Sequence, residues 1–271
     1  MKSIDFLSQM RYNSIRNWQN AKERKRPEMK WGFFTPAHIL TLVLAAGMLL
    51  TLYFGLKNKS RKIQTMVLFP LSLSGIAAIV FNLLRWGEPL AYLPLQLCSL
   101  NAMVLPFAVL TRNKTLCNLL LVWCLGALVA LVANFEMQNT QLFGEAFNAY
   151  FFPHVFEFGI PVLLFKLGLA KKDPRCIGST ISITMILYTL VHLCNLIINR
   201  YCHMVGKSLR VNYMFSIEPS NPLVAMFHKL IPHEYWHMYL VIPIVLIYLL
   251  ILYTPDLYSR YASGSLRHHT T

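Results

Sequence analysis

A thiol acts as a nucleophile where its surroundings favour the thiolate, and one cysteine of this sequence has such a setting. Cys98 lies in the string Leu93-Pro94-Leu95-Gln96-Leu97-Cys98-Ser99-Leu100-Asn101. Pro94 suits the first position of a helix, which would put Cys98 about one turn in. The positive N-terminal end of a helix stabilises a thiolate, and Gln96 and Asn101 add hydrogen-bonding groups beside it. The same string also reads as a helix start packing an inert thiol, since cysteine in an apolar segment behaves as a small hydrophobe.

A base is available in a second string, Phe152-Pro153-His154-Val155-Phe156-Glu157. His154 and Glu157 are three apart and share a helix face. A carboxylate so placed can orient an imidazole acting as general base, and a carboxyl group inside a membrane is too costly to be kept idle. The bland alternative is a hydrogen-bonded pair inside a helix bundle. A third string, His233-Glu234-Tyr235-Trp236-His237, matches H-E-x-x-H. On a helix its histidines would lie one turn apart as zinc ligands, with Glu234 as base. It follows Pro232 at an interface rich in aromatics, and no third ligand is obvious. His38 and His192 read as hydrogen-bonded bundle residues, and Asn195 as the lining of a polar cavity.

These residues sit in a chain whose composition fixes their surroundings. Of 271 residues, 56% are hydrophobic and 13% charged, about half the charge of a soluble domain. Mean hydropathy is +0.47. A disordered chain, a secreted disulfide scaffold and an ordinary cytosolic enzyme are excluded. The six cysteines form no C-x-x-C pair and imply no disulfide framework. Seven segments are long and apolar enough to span a bilayer, at residues 31–56, 63–84, 89–111, 115–135, 146–165, 176–199 and 238–255. The expected fold is all-α and polytopic, with a transmembrane domain over 31–258 and a C-terminal tail over 259–271. Trp236, Tyr253 and Tyr258 flank the last span as interface anchors would. The sixth and seventh spans are joined by a long loop, 200–237, without a helix of its own and apolar enough to dip towards the membrane.

Residues 1–30 carry eight Lys or Arg interleaved with apolar residues, either a solvated tail or a basic amphipathic helix on anionic headgroups. The net charge of +14 lies almost wholly between apolar segments, so no nucleic-acid partner is expected. Loops after the first, third and fifth spans and the C-terminus share twelve Lys or Arg, against five in the opposite loops. By these loops the positive-inside rule puts the C-terminus in the cytoplasm and the N-terminus outside the cell membrane, whereas the eight basic residues of the N-terminal tail argue for the opposite orientation.

Leu93-Pro94-Leu95-Gln96-Leu97-Cys98-Ser99, Phe152-Pro153-His154, and Asn212-Tyr213-Met214 followed by Pro219 together resemble a family, the YwaF-like integral membrane proteins related to the transmembrane protein 164 family. The resemblance covers about residues 30–255. It implies a lipid acyltransferase that moves a fatty acyl chain to a lyso-lipid through a cysteine thioester. By motif the cysteine is Cys98 and the histidine His154. Membrane phospholipids or lysolipids are the implied substrates, and no cofactor is required. Gln96, Asn101 and Asn212 are candidate oxyanion donors, with Glu157, Asn195 and Tyr213 in support. The rival readings are a zinc-dependent intramembrane protease using His233, Glu234 and His237, and a non-enzymatic lipid or small-molecule transporter.

Overall fold

Prolines and small polar residues set several of the helix boundaries. The computed structural model describes residues 30–133 and 137–268. Thr35 caps the first long helix, its hydroxyl accepting from the His38 amide at 3.2 Å, and Pro36 takes the first position. This helix is α1 (Pro36–Leu56). Ser60 caps α2 (Arg61–Ser72), Pro70 interrupts its hydrogen-bond ladder, and the chain turns at Leu73 into α3 (Ser74–Arg85). Together α2 and α3 form one kinked apolar span of 25 residues. After an irregular stretch come α4 (Leu97–Thr111), α5 (Lys114–Ala133), α6 (Glu145–Lys166) and α7 (Cys176–Met204). Finally α8 (Pro222–Leu230), capped by Asn221, leads to α9 (Val241–His268).

Among the described residues five helical segments are long and apolar enough to cross a membrane: α1, α2 with α3, α5, α7 and Trp236–Pro255. The chain is therefore an all-α, multi-pass membrane protein. The other two expected spans differ in kind. With 15 residues, α4 reaches about 22 Å, short of the roughly 30 Å hydrocarbon core. With 22 residues, α6 is long enough at about 33 Å, but it carries His154 and Glu157. Both are enclosed. Leu105, Val109, Leu120, Trp123, Ile160 and Leu164 of α4, α5 and α6 form the main buried cluster. The outer helices instead expose apolar faces such as Val43 and Leu44 on α1 and Ile247 and Ile251 on α9, as lipid-facing surfaces do.

Several expected boundaries shift. Trp31 does not open the first span but lies in β1 (Lys30–Trp31), paired antiparallel with β2 (Thr140–Gln141). Its ring is fully buried against Phe147, and its Nε1 donates to Thr41 at 2.9 Å. The long 200–237 connection is not helix-free: α7 runs on to Met204, and α8 lies inside it. Trp236 and Tyr258 are exposed, but Tyr253 is buried and donates its hydroxyl to Asn118, so it is core rather than an interface anchor. The expected amphipathic tail 1–30 lies outside the described residues apart from Lys30, as does most of the C-terminal tail's side-chain structure.

Polar contacts identify the two ends of the bundle. At one end Lys114 and Arg175 both bind Asp173, joining the start of α5 to the start of α7. Hydrogen bonds from Lys114, then from Arg175, hold the Asp173 carboxyl well below the usual carboxylate range. Arg112, just past α4, donates to Thr65 of α2 at 2.7 Å. At the other end Arg85 pairs with Glu145 at 3.2 Å, Lys207 with Glu88 at 3.0 Å, and Arg210 with Glu218 at 3.6 Å. The starts of α4 and α6 and the 205–240 region all share this second end. Consequently α4 and α6 run parallel.

Candidate active site

Pro94 does not begin α4. The Leu95 amide bonds back to the Leu93 carbonyl in a tight turn, and Gln96 stays extended as the helix cap. The reason lies in a distant partner: Gln96 Oε1 accepts the Met214 amide at 2.8 Å, which draws the segment towards the 213–215 turn. Leu97 is thus the first helical residue and Cys98 the second. The sequence reading put Cys98 a full turn in. The observed position brings it nearer the positive helix end, and no side chain caps that end. Cys98 is half-buried, and no disulfide joins any of the six cysteines.

On α6, His154 Nδ1 lies 2.6 Å from the Tyr150 carbonyl oxygen. A carbonyl only accepts, so this nitrogen carries the hydrogen and Nε2 holds the lone pair of the neutral ring. Tyr150, not Glu157, therefore orients the imidazole. The Glu157 carboxyl lies instead against α3 and α4. A Cβ added at Gly75 would meet Glu157 Oε1 at 2.6 Å and Ala102 Cβ at 2.5 Å, so this three-helix crossing requires glycine. Glu157 Oε2 is buried without a hydrogen-bond partner.

Pro161 explains how α4 and α6 are locked in register. It has no amide hydrogen for the carbonyl four residues earlier, which belongs to Glu157. Asn101 Nδ2 fills that vacancy from α4 at 3.1 Å. Because the helices are parallel, one turn towards the N-terminus from this contact leads to Cys98 on one and His154 on the other. Each shares the helix face of its contact residue by the i, i+3 rule. Sequence reasoning missed both Pro161 and Gly75. A proline four residues after a buried polar residue was the available signal for the first.

The remaining candidates build and fasten the loop that packs beside the start of α4. Asn195 is fully buried, and its amide brackets Tyr213, donating to its carbonyl at 2.8 Å and accepting from its amide at 3.0 Å. Asn199, one turn on, brackets Val211 in the same way at 2.9 and 2.7 Å. His192 Nδ1 lies 3.0 Å from Ser216 Oγ, and the Tyr188 hydroxyl donates to the Tyr235 carbonyl at 2.7 Å. One stripe of α7 thus fastens the loop. Asn195 is a bracket rather than a cavity lining. Tyr213 donates its hydroxyl to the Leu90 carbonyl, tying the loop to the stretch before α4. Asn212 spends its amide on the Glu218 carbonyl and Ser220 Oγ, both at 2.7 Å, and braces its own turn. Met214, Phe215 and Tyr235 all have left-handed φ, at 53°, 55° and 65°, a concentration of strain that surrounding contacts must hold.

The H-E-x-x-H string does not form the expected helix. Tyr235 interrupts it, and Trp236–Leu240 is a 3₁₀ turn. His237 is fully buried with Nδ1 2.9 Å from the His233 carbonyl and Nε2 2.8 Å from the Phe215 carbonyl. Both nitrogens are engaged by backbone carbonyls in a buried site, so neither is open to a metal ion. Among the described residues no three His, Cys, Asp or Glu side chains gather as a ligand set. His38 is likewise a packed residue, its Nε2 2.7 Å from the Leu131 carbonyl.

The geometry therefore offers a thiol at a helix N-terminus, a tautomer-fixed imidazole one turn from the same interhelical contact on the neighbouring helix, and a braced loop packed against the start of α4. Compared with known protein families, residues 33–253 match the model of the TMEM164 family. No curated protein and no solved structure matches the chain.

Proposed function

From membership of the TMEM164 family, to which this chain belongs, we propose that it is a membrane-embedded lipid acyltransferase that works through a Cys98 thioester. The observation carrying this reading is the register of Cys98 and His154, each one turn from the Asn101–Glu157 contact between parallel helices. His154 Nε2 takes the Cys98 proton, and the thiolate attacks the ester carbonyl of a phospholipid. The ester C–O bond breaks, and the lyso-lipid leaves with the proton returned by His154. A second lyso-lipid hydroxyl then gives its proton to His154 and attacks the thioester, which regenerates the thiol. Donor and acceptor are both membrane lipids, so the cycle balances without a soluble cofactor. Asn101 and Asn212 spend their amides on other groups, which leaves Gln96 and the first-turn amides of α4 as oxyanion donors. In this reading the C-terminus lies in the cytoplasm and the Cys98 end faces outward.

Intact-protein mass spectrometry tests the proposal. Wild-type protein incubated with donor phospholipid and no acceptor gains one acyl mass, which hydroxylamine removes. Cys98→Ser, which barely changes side-chain size, gains none and does not turn over. Normal acyl loading and turnover in Cys98→Ser would sink the mechanism.

A further inference from the structure

Charge is distributed differently at the two ends of the bundle. Among the described residues at the Cys98 end, four carboxylates, Glu88, Glu145, Glu218 and Glu234, accompany six Lys or Arg, and three ion pairs engage three of the acids. The opposite end carries Lys57, Lys59, Arg61, Lys62, Arg112, Lys114, Lys166, Lys171, Lys172 and Arg175. Asp173 is the acid described there, and Lys114 and Arg175 already engage it. Among the described residues Arg61, Lys62 and Arg112 have no carboxylate partner.

These three cations share one groove. A cavity of about 520 Å³ opens between the start of α2 and the end of α4, with Arg61, Lys62 and Arg112 on its polar side and Met66, Phe69 and Leu110 on its apolar side. No carboxylate lines it. Arg112 is pre-oriented by its bond to Thr65, and its Nε is buried without an acceptor. Met66 and Leu110 are 65% and 52% exposed, where the spans meet the membrane boundary. We infer that this groove is a binding site for an anionic phospholipid, its phosphate on Arg61, Lys62 and Arg112 and an acyl chain along Met66, Phe69 and Leu110. Charge complementarity selects the anion, and the apolar side selects a lipid over a soluble phosphate, which would leave that side uncovered. The site lies at the end of the bundle opposite Cys98 and does not depend on the acyl-transfer reading.

Native mass spectrometry of the full chain in mild detergent decides the matter, with phosphatidylglycerol and phosphatidylcholine of identical chains as probes. Wild type should bind phosphatidylglycerol at least about tenfold more tightly. That preference should vanish in Arg61→Gln/Lys62→Gln, whose side chains are exposed, and in Arg112→Gln. It should persist in Lys166→Gln/Lys171→Gln, which removes the same charge from the same end. Three results each overturn the site: a preference that survives the first variant, an equal loss in the control variant, or displacement of the lipid by inorganic phosphate at equal concentration.

Discussion

An imidazole that has spent its Nδ1 hydrogen on a carbonyl can pick up a proton only at Nε2, and His154 is in that state. Removing it should separate proton transfer from thiol chemistry. His154→Ala should lower turnover about 10²–10⁴-fold, the usual worth of a positioned general base. It should leave Cys98 open to alkylation at high pH, where the thiol ionises unaided. A His154→Ala enzyme that turns over normally would exclude the ring as base, and iodoacetamide labelling across pH would separate that outcome from misfolding. Cys98 and His154 stood out in the chain by residue type and motif, whereas the prolines beside them did not mark helix ends: Pro94 lies before α4 and Pro153 inside α6. The work of Asn195, Asn212 and His237 was not readable there, since each side chain answers to a backbone group whose nearness depends on the fold. The H-E-x-x-H string misled for the same reason: Tyr235 takes a left-handed φ imposed by its contacts with α7.

Between helices the decisive pair is Asn101 and Pro161. Asn101→Leu strands the Glu157 carbonyl and should cost about 1 kcal/mol, typical of hydrogen bonds between membrane helices. Pro161→Ala supplies an amide from within α6, so in that background Asn101→Leu should cost markedly less. Detergent-phase melting of the two single variants and the double variant measures this coupling; strictly additive losses would mean that Asn101 does not answer to Pro161. The length of apolar stretches located every long helix but misplaced their ends, because apolar residues continue past Arg85 and before Leu97 without a helix to hold them. It overestimated the reach of α4 on the same account.

Across the whole molecule the Asp173 cluster clamps α5 to α7, and its contribution depends on pH with a definite sign. Asp173 ionises in the folded state well below its unfolded value of about 3.9. Its stabilisation is therefore complete above that value and fades as pH falls below it. Asp173→Asn should melt earlier than wild type at pH 7, with the gap narrowing below about pH 4. A gap that stayed constant down to pH 3 would count against the clamp.

The shortness of α4 sets a depth. With Arg112 at the water boundary, fourteen residues separate it from Cys98, about 21 Å at helical rise, whereas the hydrocarbon layer is roughly 30 Å thick. The thiol would then lie about 9 Å below the far surface, by the difference of these two lengths. A nucleophile at that depth meets what dissolves in the membrane before it meets what dissolves in water. Of two maleimides with equal intrinsic reactivity, the one carrying an alkyl tail should label Cys98 faster than its sulfonated analogue, by the ratio of their partitioning into the bilayer. Equal labelling rates would put the thiol at the aqueous surface.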